Sequence, residues 1–122
     1  MNYRDSFELN DLKFFASVFD KSLLKHVQNL KSPDKRIKKA MIYFIKTGGK
    51  RIRPFLIHKT GTFMGIDRKI LNDFSLAVEC IHLHSLIHND LPSMDNDDSR
   101  RVKLTVHKTF DEAIAVLAWD MI

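Results

Sequence analysis

The chain has 122 residues, 44% hydrophobic and 29% charged, a composition that fits one globular domain and excludes a disordered chain. A formal charge of +5 points to an anionic partner, whether nucleic acid, a membrane surface or a phosphorylated small molecule, and does not choose among them. One cysteine, Cys80, excludes an internal disulfide framework, and the lack of a signal peptide or an apolar run long enough to span a bilayer makes the cytoplasm the expected compartment.

Three prolines and four glycines leave few breaks, so long helices are expected. Leu12, Phe15, Phe19, Leu23, Val27 and Leu30 recur three or four apart and predict an amphipathic helix over 6–30, with Ser6 as its cap. Pro33 breaks it. A second helix from about Asp34 carries Ile37, Ala40, Met41, Phe44 and Ile45 and stops at Gly48-Gly49. Pro54 suits the first turn of a third helix, which ends near Gly61 or Gly65. A fourth, over 67–88, presents Ile70, Phe74, Val78, Ile81 and Ser85 along one face. Pro92 and the polar run to Arg101 form a loop or frayed helix end, and a fifth helix from Val106 carries Phe110, Ile114 and Leu117. No alternating strand is evident, so the fold class is all-α. The apolar run AIAVLAWDMI closes the sequence with no glycine, proline or basic residue after it, which suggests a lost packing partner. Trp119 and the phenylalanines read as core, and Cys80 as a buried small hydrophobe.

Two segments could carry chemistry. In HNDLPSMDNDDSRR, from His88 to Arg101, closely spaced aspartates repel one another unless a cation lies between them. Hard cations such as magnesium take oxygen ligands and share them with substrate phosphates. The arginines that follow suit bidentate phosphate contacts. A metal–diphosphate site and a solvated interhelical loop both fit these charges. A calcium loop does not, because Arg100 stands where its glycine and Val106 where its glutamate would be.

In Gly48-Gly49-Lys50-Arg51-Ile52-Arg53-Pro54, glycines allow close approach to an anion and three cations would neutralise it. A helix C-cap followed by exposed basic residues fits equally well. The segment is no P-loop, and no aromatic is interleaved to stack on bases, which weakens a nucleic-acid reading. His84 and His88 share a helix face, but no glutamate follows His84 to give a zinc-protease pattern.

In order, GGKRIRP, ECIHLHSLIHNDLPSMDNDDSRR and TVHKTFDEAIAVLAWD closely resemble the trans-prenyltransferase (polyprenyl synthetase) family, in particular the front of short-chain bacterial farnesyl or geranylgeranyl diphosphate synthases, from about Lys38 onward. The resemblance implies an isoprenoid-synthase-type helical bundle, magnesium as cofactor, and condensation of isopentenyl diphosphate with an allylic diphosphate. It implies that Lys50, Arg53, His82 and Arg101 hold isopentenyl diphosphate and that Arg100 meets the allylic one. It places Asp90 and Asp95 on magnesium, and His84 and Ser85 in the region that sets product length. It also implies a homodimer; no nucleic-acid partner is expected, a reading that only the net charge would favour.

The departures are as informative as the matches. Asn89 stands where the family has its first aspartate, which should weaken magnesium binding. Val102 and Trp119 replace glycines, and Leu104 a proline. The second aspartate-rich motif of the family is not reached. The expectation is therefore that residues 1–122 are the N-terminal part of a polyprenyl synthetase domain, truncated and inactive alone. The alternative is a non-catalytic binding or regulatory subunit, paired with a complete synthase or with the missing half.

Overall fold

A computed structural model describes residues 9–31, 34–100 and 103–121. The positions of Ser6, Arg101 and Val102, and the side chain of Trp119, lie outside that set. Among the described residues six helices and one two-stranded hairpin follow in order: α1 Leu9–Asn29, α2 Lys35–Lys46, α3 Ile52–Phe63, α4 Arg68–Asp90, β1 Ser99–Arg100, β2 Lys103–Leu104, α5 Val106–Thr109 and α6 Glu112–Met121. The hairpin pairs Ser99 with Leu104 and Arg100 with Lys103. It is too short to alter the all-α class.

Local chemistry sets most helix ends. Asp34 accepts from the Arg36 backbone N–H at 2.8 Å and caps α2, at the position where the sequence places the helix start. Asp67 does the same for α4 through Lys69 at 3.1 Å. Gly48, at φ +90°, turns the chain out of α2. Pro54 lies in the first turn of α3, where its missing N–H costs nothing.

The core is assembled from one face each of α1, α2, α4, α5 and α6. Phe19, Leu23 and Val27 meet Ala40, Met41 and Phe44, then Leu83, Ile87, Val106, Ile114, Ala115 and Ala118. Helix α3 packs mainly on α4 and touches α1. Gly61, inside α3 rather than at its end, is buried against the Leu71 side chain, and a Cβ there would collide with it. Phe15 joins α1 to α3 by meeting Phe55 edge-on at 5.5 Å.

Four expectations need correction. The buried face of α4 carries Leu71, Ser75, Glu79, Leu83 and Ile87, whereas Ile70, Phe74 and Ile81 are more than half exposed. The predicted fifth helix is two, because Phe110 leaves helical geometry at φ −107°, ψ −91° and Asp111 restarts the chain by accepting from the Ile114 N–H at 2.7 Å. Not every phenylalanine is core: Phe19, Phe44 and Phe55 are buried, while Phe14 and Phe63 stand exposed. Cys80 is half-buried, and burial first, then the nearby Glu79 carboxylate, pushes its thiol up; it is an inert packing residue.

Candidate functional site

The turn between α2 and α3 brings the basic segment against the middle of α4. Gly49, Lys50, Arg51, Ile52 and Arg53 from the turn, with Glu79 and His82 from α4, line an open cavity of about 460 Å³. Three of the predicted site residues, Lys50, Arg53 and His82, therefore meet in one place. Lys50 and Arg53 are exposed, and Arg53 Nη1 lies 3.3 Å from His82 Nε2. Among the described residues neither cation is ion-paired to a carboxylate.

The third cation behaves differently. Arg51 turns inward, its side chain fully buried, and its Nε donates to Asp20 of α1 at 2.6 Å and its Nη1 to Glu79 of α4 at 2.9 Å. Its Nη2 donates to the Ile45 carbonyl in the last turn of α2 at 3.2 Å. Sequence reasoning grouped Arg51 with Lys50 and Arg53, since all three are cations on one short turn. It missed Asp20 and Glu79 altogether. The available signal was Glu79 itself, a carboxylate in line with Leu71, Leu83 and Ile87 on α4, which asks for a buried partner.

The acidic segment forms a second cluster at the C-terminal end of α4. Asp90 lies eight residues beyond His82, roughly 12 Å along the helix axis. It is 2% exposed, and Arg100, on β1, reaches both its oxygens with contacts of 2.6–3.1 Å. Hydrogen bonding to Asp90 raises the Arg100 guanidinium above its usual range, with burial opposing and the charges of Asp97 and Asp95 adding. Asp95 is exposed on the loop, where its N–H donates to the Asn89 carbonyl at 3.0 Å. Asn96 takes a left-handed φ of 49°, and Thr105 Oγ1 closes the loop by donating to the Asp97 carbonyl at 2.8 Å. His84 is half-buried and Ser85 exposed, its hydroxyl donating to the His82 carbonyl at 2.7 Å.

The donor chemistry, oxygen throughout, suits a hard cation, but the arrangement does not fit a resident one. Asp90 already has a guanidinium on its carboxylate, Asn89 is uncharged, and no three metal-ligating side chains converge among the described residues. The two charged segments thus differ: at the start of α3, Lys50 and Arg53 have no carboxylate ion pair among the described residues, while at the end of α4 Asp90 and Arg100 neutralise each other.

Residues 34–122 match the polyprenyl synthetase family. Over 112 residues the chain is 50% identical to farnesyl diphosphate synthase of Geobacillus stearothermophilus, covering 92% of this chain and 36% of that protein. Over 85 residues it is 49% identical to the heterodimeric geranylgeranyl pyrophosphate synthase large subunit 1, chloroplastic, of Arabidopsis thaliana, covering 70% of this chain and 23% of that one. Among solved structures, a FPP/GFPP synthase from Zymomonas mobilis superposes with a TM-score of 0.81 at 42% identity, covering 93% of this chain and 42% of the other. A geranyltranstransferase from Thermotoga maritima gives 0.83 at 37% identity, over 90% and 41%. The chain spans roughly a third of the length of the curated relatives it matches.

Proposed function

The chain belongs to the polyprenyl synthetase family, and from that premise we propose that its α3–α4 cavity binds the diphosphate of isopentenyl diphosphate through Lys50, Arg53 and His82. Arg101 would add a further contact, and Arg100 would meet an allylic diphosphate. The observation that carries this reading is the pairing pattern: Arg51 is balanced by two carboxylates, whereas among the described residues no carboxylate forms an ion pair with Lys50 or Arg53. Unbalanced cations beside an imidazole suit a phosphate ligand.

In the prenyl transfer that the family resemblance implies, the allylic C–O bond breaks with departure of diphosphate. The double bond of isopentenyl diphosphate attacks the resulting cation to form a C–C bond, and a proton is then lost. The resemblance would put the family's magnesium on Asp90 and Asp95, but with Arg100 on the Asp90 carboxylate and Asn89 uncharged these residues do not hold it as arranged. We therefore take the 122-residue chain to bind the diphosphate without completing the condensation by itself.

Calorimetric titration with isopentenyl diphosphate, paired with a prenyl-transfer assay using an allylic diphosphate and magnesium, tests both parts. Saturable binding that Lys50→Ala abolishes, without product, is the expected result. No binding would overturn the site, and product would overturn the inactivity.

One observation favours a second reading, a binding or regulatory subunit paired with a complete synthase or with a missing half. Leu56 and Phe63 of α3 and Ile70, Phe74 and Ile81 of α4 are exposed apolar side chains, more than a monomer commonly shows on two adjacent helices. The name of the Arabidopsis relative describes a heterodimer. Sedimentation of the chain with and without a full-length synthase decides it: a chain that stays monomeric in both excludes pairing.

A further inference from the structure

We propose that Arg51 is a positioning residue: its buried guanidinium, held by Asp20, Glu79 and the Ile45 carbonyl, fixes the turn that presents Lys50 and Arg53 to the cavity. This rests on the diphosphate-binding reading above and adds to it residues that never touch the ligand.

Backbone geometry is the first support. Arg51 sits at φ 54°, ψ 37° immediately before α3, in the left-handed region that a residue with a Cβ adopts rarely. Only Asn96 shares a positive φ among the described non-glycine residues. A long side chain remains in that region only where its surroundings hold it there. Here each guanidinium nitrogen has its own partner, on α1, α2 and α4. One planar group thus ties three helices to the start of a fourth.

Placement is the second support. Lys50 immediately precedes Arg51, and Arg53 follows two residues later. Glu79, which pulls Arg51 inward, lies one helical turn before His82, which meets Arg53. The inward and outward contacts are therefore made by one stretch of α4. If the turn relaxed, Arg53 would lose its register with His82 even though every ligand-facing residue was still present.

Glu79→Gln gives a test in which charge and positioning predict opposite signs. Glu79 lines the cavity wall, so removing its negative charge alone would strengthen binding of an anion. Loosening Arg51 instead weakens binding of inorganic diphosphate by roughly tenfold, the loss expected when a charged hydrogen bond is misaligned. Arg51→Gly, which keeps the left-handed turn inexpensive but removes the clamp, should weaken it likewise. Helix content is checked by circular dichroism, and binding is read well below each variant's melting temperature.

Nitrogen-detected NMR of the His82 ring gives a readout that needs no ligand. The ring signal should move in Glu79→Gln toward that of Arg53→Ala, in which the Arg53–His82 contact is gone. An unmoved His82 signal, or equal or tighter diphosphate binding by folded Glu79→Gln, overturns the positioning role. If wild-type protein fails to bind diphosphate while the His82 signal moves as described, the binding site falls and the clamp stands.

Discussion

Removing either partner of the Asp90–Arg100 pair should destabilise the chain unequally. Asp90 is 2% exposed at its side chain and Arg100 25%. Arg100→Met strands a largely buried carboxylate, a loss of about 3–5 kcal/mol by analogy with broken buried pairs. Asp90→Asn leaves a guanidinium that can turn partly into solvent and keeps one oxygen acceptor, so the cost is about 1–2 kcal/mol. The double variant strands no charge and should be more stable than Arg100→Met alone, a positive coupling that neighbouring sites commonly show. Urea unfolding of all four proteins by far-UV circular dichroism measures these differences from midpoints at constant slope. Magnesium should raise the midpoint of Arg100→Met more than that of the wild type, because Asp90 is then free to take a cation. Equal costs for the two single variants, or a larger one for Asp90→Asn, would refute the claim that burial of Asp90 governs this pair. No differential magnesium effect would refute the claim that Arg100 and a cation compete.

Gly61→Ala places a methyl where the Leu71 side chain already lies and should cost about 1–3 kcal/mol in a thermal or urea melt; adding Leu71→Ala should recover part of that loss. His58 packs its ring 5.1 Å from Phe15, and its Nε2 is buried without a hydrogen-bond partner among the described residues. Burial first, and the Arg68 charge second, push its pKa below the ordinary 6.5. The unfolded chain therefore binds the proton before the folded one does as pH falls. Stability from this group is full above pH 6.5 and declines below it, through the window down to the folded pKa. His58→Phe should flatten that part of the pH–stability curve relative to wild type, and an unchanged curve would show that another histidine dominates.

Much of the fold was legible because its causes are local. The stripe Phe15, Phe19, Leu23, Val27 gave α1, and Asp34 with Gly48-Gly49 bounded α2, since period and capping act within a few residues. The break between α5 and α6 was also written locally, in Asp111 ahead of Glu112, but the continuous helical spacing of Phe110, Ile114 and Leu117 masked it. The buried face of α4 was not legible. An apolar stripe of Ile70, Phe74 and Ile81 runs along its exposed side, and the buried side interrupts its apolar residues with Ser75 and Glu79. Hydrophobicity alone therefore selects the wrong stripe.

The sequence by itself determined an all-α chain, its main helices and the family to which its motifs assign it, because each is encoded in runs of neighbouring residues. Only the tertiary structure decided how the charges divide. It turned Arg51 away from Lys50 and Arg53, and it set Arg100 on Asp90. The first outcome depends on carboxylates distant in the chain, Asp20 and Glu79; the second depends on which of the nearby aspartates the loop folds against Arg100, and that is Asp90. A buried charge must find its counter-charge in space, and sequence spacing carries no record of where that will be.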